Sequence, residues 1–282
     1  MHLFAINSGP VSALRQYIEA HRSEFGSAEI LTYIQTQLTH IHIWAGILSL
    51  VAGIVGFASL KGKQLHRISG RIFTGGVAVV VATAFAMFVF IVVLPGYPKN
   101  AGYKPEAEAF LLSLASVAAY TFLSGFRWAA SSKPFLWFDP LLALTALAAG
   151  LLALASVPFD IFVHPLYSEQ ATFPLSALSS GLSLVIFSVI SFAMVYDDFR
   201  TIKLKSVNPD DRIIKHATRI GLAFVAVLTG VVVINLGGLF VAHRWDPSPL
   251  YLLPGSIVAP FLWSRISFYR KSGHSVDDVD RI

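Results

Sequence analysis

The chain has 282 residues, of which 55% are hydrophobic and only 13% charged, with a formal net charge of +5 and no cysteine. Soluble domains carry about 25% charged residues, so composition excludes a water-soluble enzyme. The missing cysteines exclude disulfides, thiolate zinc sites, iron–sulfur clusters and covalently attached c-type haem.

Every charged residue falls outside seven apolar windows: 30–60, 72–98, 109–126, 140–159, 170–196, 220–243 and 247–264. A helix crossing the hydrocarbon needs about 20 mostly apolar residues, and each window is long enough. The pattern predicts an all-α integral membrane protein, a bundle of seven transmembrane helices. The expected spans are 38–60, 68–94, 108–130, 140–160, 173–197, 213–240 and 250–269, so the membrane domain is residues 38–269.

Residues 1–37 precede the first span. Ser8-Gly9-Pro10 can open a short amphipathic helix, with Val11, Leu14, Tyr17 and Ile18 on one face and Arg15, Glu19 and Arg22 on another. It lies on the membrane surface or caps the bundle. No apolar signal core precedes residue 30, so the first span is expected to act as its own insertion signal. In that span His42, Gly46, Ser49, Gly53 and Gly56 share one helix face, a groove of small residues beneath a histidine. The groove suits close helix packing or a flat ligand such as a porphyrin.

The loop after it is basic and holds His66, Arg67 and Arg71. Arg67 and Arg71 are four apart on one face, with Gly70 between them. They could clamp a phosphate or a haem propionate, or simply anchor the inner helix end. Leu94-Pro95-Gly96-Tyr97-Pro98 closes the second span, and Asp139-Pro140 reads as an N-cap with a first-turn proline. The fifth span is rich in serine, from Ser176 to Ser191, which reads mainly as small-residue packing. In the sixth, His216, Arg219, Ala223, Ala226 and Gly230 repeat the groove with the histidine at the inner end. Residues 270–282 are expected to form a mobile cytoplasmic tail.

Cytoplasmic loops retain lysine and arginine. One side of this topology collects 16 basic residues and the other 5, which predicts the N-terminus outside and the C-terminus cytoplasmic. Topology alone accounts for the basic patches, so nucleic acid is not an expected partner; the lipid bilayer is. Trp44 and Trp245 fall near the outer interface, and Trp128 and Trp137 near the inner one, as an aromatic belt would.

No span has a Lys, Arg, Asp or Glu at its centre. That weighs against a proton-coupled transporter or ion pump. It leaves room for a neutral or lipid-like solute along Asn235 and the serines.

Residues 42 to 60 rise about 27 Å, which separates His42 from His66 by the membrane thickness. His66 and His216 share the inner face, while His42 and His243 share the outer one, with His40 and His164. Each pair could ligate a metal ion or b-type haem. Two haems would carry electrons across the membrane to a quinone or another redox partner. Arg67, Arg71 and Arg219 are the accompanying cations. Taken singly, each histidine also reads as a headgroup contact or helix cap. The competing functions are a permease for a neutral solute and a structural or assembly subunit of a membrane complex. No phosphate-binding loop, nucleophile elbow or zinc-protease helix occurs.

The run His42-Ile43-Trp44-Ala45-Gly46, followed by His66-Arg67-Ile68-Ser69-Gly70-Arg71, resembles a family of bacterial multi-pass membrane proteins of unknown function. The resemblance covers roughly residues 38–90, with His216 and Arg219 as a later element. It implies a bacterial inner-membrane location and draws attention to His42, His66, Arg67, Gly70 and Arg71. It implies no activity.

Overall fold

Backbone amides in hydrocarbon must bond within their own segment, so an apolar chain of this kind winds into helices. The computed structural model describes residues 27–89, 105–131, 137–158, 174–204, 209–243, 245 and 248–272. Within them lie seven helices: α1 (Ser27–Ala58), α2 (Gln64–Phe88), α3 (Pro105–Ala130), α4 (Asp139–Pro158), α5 (Pro174–Leu204), α6 (Pro209–Ala242) and α7 (Ser248–Ser272). Five of them, α1, α2, α3, α5 and α6, contain stretches long and apolar enough to cross a membrane. In α4 the apolar stretch Asp139–Ala155 is shorter. The expected amphipathic helix before residue 26 lies outside the described residues, as does the tail beyond Ser272. Residues 27–37 continue α1 as helix and so prolong the expected first span.

Successive helices run antiparallel, so one end of the bundle gathers the turn between α1 and α2, the end of α3, the start of α4, the end of α5 and the start of α6. Most of the basic residues are here, and we call it the basic end. The α3 helix is the most buried of the five spans and packs against α2, α4, α5 and α6. One apolar core joins Phe73, Val77, Leu114, Phe122, Leu184, Phe224 and their neighbours; a smaller one joins Tyr120, Leu142, Ala146, Met194 and Val195. Outward-facing residues stay apolar: Ile43, Trp44, Ile47, Leu48, Val51 and Ile54 on α1 are all exposed. In water such a stripe would be a defect, but against lipid it is the expected surface.

The small-residue groove of α1 is filled by protein. Gly76 of α2 sits against Ser49 and the Ala45 carbonyl, and Gly53 sits against Phe224 and Phe73. On α6, Ala223 and Ala226 are buried in the core, and Gly230 lies 3.5 Å (measured from a built Cβ) from Leu114. Both grooves therefore serve close helix packing. Ser188 of α5 does the same work. The Ser188 hydroxyl lies within hydrogen-bond distance of Gly150 O across to α4 at 2.9 Å and of Leu184 O at 3.0 Å. Asn235 is exposed and donates to Val231 O of its own helix, so it lines no interior path.

Candidate functional site

The basic end holds a cluster of charged side chains inside the bundle. Arg219, on α6, is 2% exposed, and both terminal nitrogens of its guanidinium are engaged. Nη2 donates to Asp198 Oδ1 at 2.8 Å and to Asp197 Oδ2 at 3.0 Å. Nη1 donates to Asp198 Oδ2 at 3.0 Å, to the Tyr120 hydroxyl at 2.5 Å and to Ser124 Oγ. The Tyr120 hydroxyl in turn donates to Asp198 Oδ2. Lys215, one turn before Arg219, pairs with Asp197. Two cations and two carboxylates thus balance across α3, α5 and α6. Tyr120 and Ser124 are one turn apart on α3, Lys215 and Arg219 one turn apart on α6, and Asp197 and Asp198 adjacent on α5. Helix periodicity aims the pairs on α3 and α6 at one point, while Asp197 and Asp198 lie about 100° apart around α5, Asp198 buried and Asp197 at the rim.

A second pair lies beside it. Arg127 grips Asp139 in a two-pronged bridge, Nε to Oδ1 at 2.9 Å and Nη2 to Oδ2 at 2.6 Å, and ties the end of α3 to the start of α4. Trp128 is 3% exposed and lies between cations, with the Arg127 guanidinium 3.8 Å and the Lys215 ammonium 5.2 Å from its ring centre. Trp128 is consequently a buried cation–π partner, not the interfacial belt residue its position suggests. Trp137, Trp44 and Trp245 are exposed as a belt requires.

The four histidines singled out by sequence occupy three different settings. His66 Nδ1 lies 3.0 Å from Gly56 O, the carbonyl to which Lys61 also donates at 3.1 Å, so both cap the end of α1. His216 Nδ1 lies 2.8 Å from Gly125 O of α3. Both lie at the basic end, His66 on α2 and His216 on α6. Phe57 stacks edge-on against Phe224 with ring centres 5.2 Å apart, which sets the end of α1 beside α6. At the opposite end His42 Nδ1 lies 2.9 Å from Thr83 Oγ1 of α2. His243 contacts Leu239 O at 2.9 Å and stacks on Trp245, exposed at the end of its own helix. The structure thus sets His66 and His216 on different carbonyls at the basic end, and His42 and His243 against different neighbours at the other.

The hydrogen bonds fix the ring nitrogens. A carbonyl only accepts, so Nδ1 of His66 and of His216 carries the proton, and Nε2 of each neutral ring keeps its lone pair. Thr83 gives its hydroxyl proton to Val79 O at 2.7 Å, so it accepts from His42 Nδ1 in the same way. Arg67 and Arg71 are exposed on the outer face of α2, with no atom near Gly70 between them. They do not join the Arg219 cluster. Among the described residues no group of three or more His, Asp or Glu converges as a metal cage would require.

Sequence reasoning missed Tyr120, Ser124, Asp197, Asp198, Arg127 and Asp139 as members of a site. Asp139 was legible only as a helix cap. The adjacent Asp197-Asp198 pair, directly after an apolar run, was the one available hint.

These features define an all-helical integral membrane protein whose basic end carries a buried ion network and, beside it, two histidines from different helices. Comparison with family models, with curated proteins and with solved structures returns no match.

Proposed function

We propose that the protein is a membrane-embedded electron carrier that binds one b-type haem at its basic end, with His66 and His216 as axial ligands. The observation that carries this reading is that both histidines lie at the same end of the bundle with their ring nitrogens oriented alike. They come from separate helices, each with Nδ1 held by a backbone carbonyl and Nε2 left as the lone-pair nitrogen. That is the arrangement that fixes a metal-binding imidazole and raises its basicity. An electron-transfer haem is commonly held by two axial side chains, and two imidazoles of this kind would serve. The exposed Arg67 and Arg71 of the same end are available to propionates or headgroups. His42 and His243 form no second site in this reading, so electrons enter and leave at one face, through a quinone or a soluble donor.

The reduced-minus-oxidised spectrum of the detergent-purified full chain, with a pyridine haemochrome assay, tests this. Sharp α and Soret bands at near one haem per chain are expected. His66→Ala and His216→Ala should each remove them, while His42→Ala and His243→Ala should not. A colourless protein from haem-replete cells overturns the reading.

The same reading places the basic end in the cytoplasm, following the 16-to-5 split of basic residues. Because the chain has no cysteine, one introduced at Lys63 is a clean reporter. In intact cells Lys63→Cys should resist a membrane-impermeant maleimide and label only after permeabilisation. Labelling in intact cells would reverse the orientation.

A further inference from the structure

The cations of the basic end fall into two groups. Arg127, Lys215 and Arg219 are answered inside the bundle by Asp139, Asp197 and Asp198. Lys63, Arg67 and Arg71 are not. All three are exposed, and none of their side chains has an ion-pair or hydrogen-bond partner among the described residues. No acid stands near them in the chain either, since the sequence has none between Glu29 and Glu106. Lys63 is the N-cap residue of α2. Arg67 and Arg71 follow one turn apart, with about 5–6 Å between their Cβ atoms. Two guanidiniums at that spacing can share one phosphate.

Below these cations the same helix is apolar and open to lipid. It packs on α1 and α3 and turns Leu65, Ile68, Ile72 and Val79 outward. Gly75 stands among them one turn beyond Arg71, about 6 Å deeper along the axis. Gly75 is exposed, its φ is not positive, and a Cβ there would meet nothing within 4 Å. Glycine weakens a helix interior relative to alanine, and no packing within the protein uses its small size, as Ser49 uses that of Gly76. Anchoring of the helix end accounts for the cations but not for a notch in the lipid-facing surface beneath them.

We infer that this face of α2 is a docking site for an anionic phospholipid of the leaflet at the basic end. The phosphodiester sits between Arg67 and Arg71, with Lys63 on its outer side, and an acyl chain runs over Gly75 between Ile72 and Val79. Charge selects the lipid: a zwitterionic headgroup brings its own cation, which the uncompensated row repels, whereas phosphatidylglycerol brings a net negative charge. The site is independent of haem.

The test is native mass spectrometry of the detergent-purified full chain, titrated with phosphatidylglycerol and with phosphatidylcholine of the same acyl chains. The first should be retained at about tenfold lower concentration, as two cations near the surface allow. Arg67→Gln with Arg71→Gln should abolish that preference. Arg200→Gln with Lys203→Gln removes two exposed cations from the same end, on α5, and should leave it intact. Gly75→Leu keeps every charge and points into open space, so it should fold normally and yet weaken retention of phosphatidylglycerol several-fold. Equal loss in both double variants would mean diffuse attraction to a basic surface and would overturn the inference. So would a wild-type chain that retains both lipids alike, or displacement of phosphatidylglycerol by millimolar glycerol phosphate, which would identify a phosphate site that needs no lipid. Should the arginine variant not fold, Gly75→Leu decides alone, and unmoved retention there overturns the inference.

Discussion

Arg219→Leu is expected to cost about 3–5 kcal/mol of stability, because it strands buried carboxylate charge with no cation to answer it. Asp198 is 8% exposed, and Arg219 donates to both of its oxygens. Asp197 loses less, since it is half in solvent and keeps Lys215. The tyrosine hydroxyl alone then supports Asp198, and one neutral donor does not offset the desolvation of an ion. The same reasoning predicts a rescue. Arg219→Leu combined with Asp198→Leu removes both charges and should recover most of the loss, a coupling of several kcal/mol in a double-mutant cycle. Denaturant or thermal unfolding in detergent measures both. A single-variant loss below about 1 kcal/mol would mean that water reaches the cluster and screens it as at a surface.

The contrast with the sequence reading lies in what helix periodicity can convey. Apolar windows announce their helices because burial in lipid is a property of each segment alone. The α1 groove was legible for the same reason: a step of three and four places Gly46, Ser49, Gly53 and Gly56 on one face whatever that face meets. What fills the groove was not legible, since Gly76 and Phe224 belong to other helices. The ion network is the extreme case. Arg219 and Lys215 looked like ordinary inner-end cations, and Asp197 and Asp198 like solvated acids after a span. Only the crossing of α3, α5 and α6 turns them inward. Counting residues puts His66 and His216 at the same depth, and in the structure each holds a different backbone carbonyl, Gly56 O and Gly125 O. The same count put His42 and His243 at one depth, but depth does not fix lateral position, and their neighbours differ.

Gly125→Ala should be far more damaging than its size suggests, and Gly70→Ala is its control. A Cβ at Gly125 would lie 2.8 and 2.9 Å from the Ile220 side chain and 3.1 Å from the Ile220 backbone nitrogen. The side chain could rotate away, but the backbone nitrogen can move only if α6 moves. Overpacking of that kind costs about 1–3 kcal/mol. It also strikes a place where α6 is held by a carbonyl of α3, because Gly125 O receives His216 Nδ1. Separating α3 from α6 there lengthens that bond and releases the ring, so haem content should fall along with stability. At Gly70 a Cβ meets nothing within 4 Å. There alanine only removes backbone freedom from a helix interior, a gain of up to about 1 kcal/mol. Thermal melts paired with haem-to-protein ratios separate the two effects. Equal behaviour of the two variants would show that α3 and α6 are not in close contact at Ile220, and would remove the support that His216 receives from α3.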